Sequence, residues 1–278
     1  MKAVNGELSD KLWDWLDTEP ACGAWNMATD QFFAETMQHG QRPIMRLYQW
    51  QPWCISLGIH QSADCVNLDK CQKQGIDVVR RQTGGRAVFH SEEITYSVIL
   101  PRNHGFGHSV TETYHHISLG LAAGLRRLGV PASFQKRSVS MKSHYENKIS
   151  MSCFSAAALH EIVVHGRKLV GSAQRRLQSG ILQHGSVLVG SAHLKLFDYF
   201  NHLSEAEKEQ MHLEMARKTT TVQEILECDL SIASIGCALK KGMEDQLGIT
   251  FQNRELTSAE KQAIKNRQSR FVIYQNTS

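Results

Sequence analysis

The chain has 278 residues, with 41% hydrophobic and 21% charged residues, a formal net charge of +4 and a pI near 8.6. This composition excludes a disordered or fibrous chain, and so small a positive charge, without a Lys/Arg block interleaved with aromatics, does not argue for nucleic acid. No run approaches the roughly 18 uninterrupted apolar residues of a membrane span. Glu7, Asp10 and Asp14 stand where a secretory leader would be basic and then apolar. A cytoplasmic protein without membrane association is expected. The seven cysteines, at 22, 54, 65, 71, 153, 228 and 237, are odd in number and scattered, with no CxxC or zinc spacing. Neither a disulfide framework nor a metal site is expected. The adjacent His115 and His116 fall on different faces of an expected helix, which does not suit a shared metal.

In chain order, the apolar recurrence from Trp25 to His39 predicts a helix stopped by Gly40. Ile44 to Tyr48 and Cys54 to Leu57 are β-type runs, and Gln51-Pro52 between them reads as a hairpin connection. Leu68 to Gln74 is a short helix ended by Gly75, after which Ile76 to Arg80 and Ala87 to Leu100 supply strands around the turn Thr83-Gly84-Gly85-Arg86. Ser109 and Glu112 form a capping box for a helix running to Leu128. Gln135 to Ser150 is polar without a period and reads as a long loop leading to Cys153. His165-Gly166 suits a tight hairpin between Glu161–Val164 and Arg167–Val170, and Ile181 to Val189 is a further strand.

Beyond Leu194 the pattern turns helical. Ser204/Glu207, Thr221/Glu224 and Thr257/Glu260 are capping boxes, and Gly248 closes a helix ending near Leu247. The expectation is an α+β fold with a mixed or antiparallel sheet flanked by helices over residues 1–195, and a mainly helical segment over 196–278 packed on it.

Two groups of residues carry candidate chemistry. Glycines at Gly84-Gly85 let a backbone approach a ligand and expose N–H donors, although an ordinary Gly-Gly turn with surface arginines accounts for them equally well. Cys153 is followed by Lys168 in GRKLVGSAQ. A thiolate is the attacking form of cysteine, and a neighbouring ammonium favours it, whereas a lone cysteine is more often a small buried hydrophobe. The basic positions Arg167, Lys168, Arg175 and Arg176 suit either one groove or a solvated face.

The ordered blocks RRQTGGRAVFH, ITYSVI, SCF, GRKLVGSAQRR and ILQHGSVLV resemble the biotin and lipoate protein ligase superfamily from about residue 24 to 250. Within it they are most similar to the octanoyl-carrier-protein to lipoyl-domain octanoyltransferases of lipoate assembly. That resemblance implies the catalytic-domain fold of the superfamily, an acyl-thioester intermediate on Cys153, and Lys168 lowering its pKa and handling the proton of the incoming amine. It also implies a substrate pocket drawn from Arg81, Thr83, Gly84, Gly85, Arg86, His90, Gly171, Ser172, Ala173 and His184. Octanoyl-acyl carrier protein would be the donor, a lipoyl domain or glycine cleavage H protein the acceptor, and no cofactor would be needed.

Arg86 replaces the third glycine usual in the ligases, and Ser91 replaces the aspartate that commonly follows the histidine. The alternatives at this point are an ATP-dependent lipoate or octanoate ligase, an amidotransferase between lipoyl domains, and a noncatalytic carrier-protein binder.

Overall fold

The computed structural model describes residues 11–102, 104, 109–136 and 160–275. The first half contains β1 (Leu12–Asp17), α1 (Gly23–Thr36), β2 (Ile44–Tyr48), β3 (Cys54–Leu57), α2 (Leu68–Lys73), β4 (Asp77–Arg80), β5 (Val88–His90), β6 (Glu93–Pro101) and α3 (Val110–Arg127). The second half contains β7 (Ser133–Lys136), β8 (His160–Val164), β9 (Arg167–Arg176), β10 (Gly180–Leu188), α4 (Glu205–Lys218), α5 (Val222–Leu226), α6 (Ile232–Leu247), β11 (Thr250–Asn253), α7 (Ser258–Lys265) and β12 (Val272–Tyr274).

Among the described residues the strands form two mixed sheets, of eight strands in the order β11-β1-β2-β6-β10-β9-β8-β7 and of four in the order β12-β4-β3-β5. The expected α+β architecture with a helical carboxy-terminal segment is what the chain adopts. That segment also adds β11 beside β1 and β12 beside β4, two short strands its helical pattern did not announce.

Several local expectations hold for the stated reasons. Ser109, Ser204, Thr221 and Thr257 each accept the backbone N–H three residues on. The reciprocal half forms at Ser204 and Thr257; at Thr221 it does not, and the Glu224 carboxylate instead pairs with Arg167 and Thr220. His165 (φ +49°) and Gly166 (φ +77°) form the left-handed pair that a tight β8–β9 hairpin needs.

Three expectations are corrected. The first helix ends at Thr36 and not near Gly40, because Met37 leaves the helical conformation and buries itself against Leu16, Phe33, Ile44 and Leu182. β2 and β3 are not a hairpin: β2 lies between β1 and β6 in the large sheet, and β3 lies between β4 and β5 in the small one. The polar stretch from Gln135 begins inside β7, whose Gln135 and Lys136 pair with Glu161 and His160; residues 137–150 lie outside the described ones.

The small sheet and α1 cover one face of the large sheet, and α3 and α6 pack together beneath the other. The α3–α6 contact is backbone to backbone. A Cβ on Gly124 would lie 2.6 Å from Leu239 Cα, and one on Gly242 would collide with the Gly124 nitrogen. Overpacking so close a contact forces helix displacement. Gly242→Ala is therefore expected to destabilise the fold by about 1–3 kcal/mol or more, read as a lower urea midpoint at unchanged m.

Candidate active site

Successive strand residues face opposite sides of a sheet. β9 and β10 pair His184 with Ala173, Ser186 with Gly171, and Gly185 with Ser172. Gly171, Ala173, His184 and Ser186 thus share one face, while Val170 and Ser172 share the other. Unbroken alternation would put Lys168 with Val170 and Ser172. The β8–β9 register instead shifts by one residue, with Ile162 opposite Val170 but Val163 opposite Lys168. This extra residue turns Lys168 onto the face of Gly171, Ala173 and His184, the kind of re-aiming that β-bulges perform.

On that face Lys168 Nζ meets Glu161 Oε1 at 2.7 Å, with both residues about 95% buried. The Lys168 carbonyl accepts from Thr220 N–H at 3.0 Å, and Thr219 beside it bonds His193 Nε2 at 2.9 Å. Burial drives the His193 imidazole down to about 4.

The loop between β4 and β5 lies over the same face. Thr83 Oγ1 bonds His184 Nε2 at 2.6 Å, and His184 Nδ1 lies 3.5 Å from Asp30 on α1. Asp30 also accepts from Arg46 Nη1 (2.9 Å), Tyr48 Oη (2.9 Å) and Ser97 Oγ (2.8 Å). Burial alone would raise the Asp30 carboxyl, but these donors outweigh it and hold the pKa below the usual carboxylate value. The two ring nitrogens of His184 thus bridge the Asp30 carboxylate on α1 and the Thr83 hydroxyl of the loop.

The remaining expected site residues divide by geometry. Arg81 donates to Ser56 O (2.8 Å), Gly84 O (2.9 Å) and Arg86 O (2.6 Å), so it shapes the loop from within. His90 stacks on Trp50 at 4.0 Å, with Nδ1 3.1 Å from Glu93 and Nε2 2.8 Å from Ser56 Oγ. Both its nitrogens are engaged, and burial lowers its pKa. Gly84 and Gly85 are exposed, and Arg86 is half-buried beside them. Ser172 accepts from Tyr96 Oη at 2.6 Å on the opposite face, where Gln183 Nε2 also donates to Tyr96. Of the basic positions, Lys168 reaches Glu161 and Arg175 reaches Gln82 O in the loop over the same face, whereas Arg167 turns to Glu224 and the end of α4.

Cys153 lies outside the described residues. Among the described cysteines, burial raises the thiol pKa of Cys22, Cys54 and Cys65 and lifts that of Cys71 to about 12, which keeps them protonated. Also among the described residues, no cluster of three or more His, Cys, Asp or Glu could hold a metal, and no helix is long and apolar enough to cross a membrane.

Sequence reading missed Asp30, Glu93 and Glu161. Each is an acid inside an apolar periodic run, and such a charge is buried only with a partner. That signal was available.

Residues 23–244 match the lipoyl protein ligase A/B catalytic domain. The chain belongs to this family. It is 37% identical over 259 residues to an octanoyltransferase LipM of Halalkalibacterium halodurans, covering 92% of this chain and 94% of that one. It is also 37% identical to an octanoyltransferase LipM of Bacillus subtilis, covering 91% and 92%. A bipartite lipoate protein ligase from Thermoplasma acidophilum superposes with TM-score 0.75 at 22% identity over 92% of each chain, and a lipoate-protein ligase A bound with ATP with TM-score 0.72 at 22% identity, over 92% of this chain and 94% of that one. At such identities the likeness is one of fold.

Two stability measurements check this site. Glu161→Ala removes the carboxylate paired with a buried ammonium and is expected to cost about 3–5 kcal/mol, whereas Glu161→Leu with Lys168→Met should recover most of it in urea unfolding. His193 titrates near 4 when folded and near 6.5 when unfolded, so the unfolded chain gains a proton that the folded chain refuses between those values. Stability should therefore rise with pH through that window and be lost as the pH falls toward 4, by at most about 3 kcal/mol from this group, and His193→Gln should flatten the slope of urea midpoint against pH.

Proposed function

We propose that this chain transfers an octanoyl group from octanoyl-acyl carrier protein to a lysine of a lipoyl domain or glycine cleavage H protein, in the cytoplasm, during lipoate biosynthesis. The observation that carries this reading is the octanoyltransferase identity of relatives aligned over about nine-tenths of the chain. The Lys168–Glu161 pair on the face covered by the Gly84-Gly85 loop is consistent with it.

In this reading the Cys153 thiolate attacks the thioester carbon, a Cys S–acyl bond forms, the bond from that carbon to the carrier's sulfur breaks, and the carrier's arm leaves as a thiolate. The ε-amine of the acceptor lysine then attacks the octanoyl-enzyme, the C–N bond forms, and the Cys153 thiol is released. Lys168 stabilises the thiolate by charge. A thioester is already activated, so the reaction needs neither nucleotide nor metal. Gly171, Ala173, Thr83 and His184 would line the acyl group, with Arg81 and His90 fixing the walls behind them.

Intact-mass analysis with octanoyl-acyl carrier protein and no ATP should show an octanoyl adduct on the wild type and none on Cys153→Ser, which should also lose nearly all turnover. An adduct or turnover that appears only with ATP would point to a ligase. Lys168→Ala should slow iodoacetamide labelling of Cys153 at neutral pH by on the order of tenfold, because an opposite charge within about 4–6 Å shifts a titrating group by around 1–3 units. Coincident labelling profiles would remove Lys168 from that role.

A further inference from the structure

Away from the expected site, a cavity of about 540 Å³ opens beside the carboxy-terminal end of α1. β1, β2 and the segment from β11 to α7 supply its other walls, and none of the expected site residues lines it. Its volume falls within the range of about 300–1,000 Å³ usual for small-ligand pockets, where an apolar body is held by a few placed polar groups. Phe33, Met37 and Ile44, all three buried, form the apolar part of the lining.

The polar part is a set of charged side chains that meet one another loosely. The Asp14 side chain on β1 is 16% exposed, with Arg42 Nη1 3.6 Å from its Oδ1 and Arg254 Nη1 3.6 Å from its Oδ2. A charge-assisted hydrogen bond spans only about 2.7–2.9 Å. Both guanidiniums therefore compensate the charge without bonding to it, and the carboxylate accepts no hydrogen bond among the described residues. The guanidiniums are anchored elsewhere. Arg42 Nη1 donates to Gln252 Oε1 at 2.7 Å, while Arg254 Nη2 pairs with Glu260 and its guanidinium lies over the Phe33 ring at 5.0 Å. Arg42 Nε and Nη2 donate to nothing among the described residues. Glu260 is occupied by Arg254 and by the cap at Thr257.

The lining thus offers unused guanidinium donors, one carboxylate with unused acceptor capacity and an apolar floor. A simple cation entering it would face two guanidiniums, and a simple anion would face Asp14; such like-charge contacts are costly. A molecule carrying both charges meets each with its opposite. We propose that this cavity is a second ligand site, for a free α-amino acid with an apolar side chain. Its carboxylate bridges Arg42 and Arg254, its ammonium donates to Asp14, and its side chain lies against Phe33, Met37 and Ile44. The site does not depend on the acyltransferase reading.

Calorimetric titration of the whole chain tests it with three probes: L-phenylalanine, phenylpropionate, which lacks the ammonium, and phenylethylamine, which lacks the carboxylate. Thermal unfolding of each variant runs alongside. A ligand of this size binds with a Kd near about 1 mM at ordinary ligand efficiency. Phenylalanine is expected to bind, and each truncated analogue at least about tenfold more weakly, because a hydrogen bond to a charged group is worth that factor or more. Arg42→Gln should weaken phenylalanine about tenfold and leave phenylethylamine within about twofold. Asp14→Asn should bring phenylalanine and phenylpropionate to similar affinities. Exposed ion pairs add little stability, so Arg42→Gln should unfold at the wild-type temperature, and it carries the test if Asp14→Asn unfolds early. Equal affinity for phenylalanine and either analogue in the wild type would overturn the proposal, as would unchanged phenylalanine binding in folded Arg42→Gln. Absence of phenylalanine binding at about 10 mM, well above the expected Kd, would overturn the site itself.

Discussion

A single extra residue in β9 decides which side of the large sheet carries chemistry. Strand alternation is strict, so Lys168 could join the face of Ala173 and His184 only through a break in register. With that break, Lys168 meets Glu161 across the hairpin; without it, the ammonium would point toward the side occupied by Tyr96 and Ser172. The hairpin pins the shift at one end through His165 and Gly166, and Thr219-Thr220 borders Lys168 on its other side.

The same face holds a second fixed framework. Asp30 ties α1 to β2 through Arg46 and Tyr48, to β6 through Ser97 and to β10 through His184, and His184 passes the connection to Thr83. Glu93 does the equivalent for the small sheet, binding His90, Thr95 and Ser186. Buried charges of this kind add little net stability, but they tolerate few alternative arrangements, which suits a loop that must be held in one geometry.

Much of the fold was legible because its signals are local. The capping residues, the positive-φ glycine at Gly248 and the β8–β9 turn each depend on a few neighbouring side chains. The errors came where partner choice is non-local. The runs at 44–48 and 54–57 are both good strands, and nothing within them says that they belong to different sheets. The site was legible in part. The glycine pair and Lys168 stand in recognisable blocks, whereas the bulge that aims Lys168 and the carboxylates behind it arise from pairings that sequence spacing does not encode.

The β1–β11 pairing bears on how the molecule is made. Leu12 sits beside Thr250, and Val79 beside Val272, so an edge strand of each sheet lies near the carboxy-terminal end of the chain. Contacts so distant along the chain raise contact order, and loop closure must be met before they reward it. A nascent chain on the ribosome carries β1 without the neighbour it will have at its outer edge until residues 250–253 have emerged. Until then an unpaired edge is exposed to other chains.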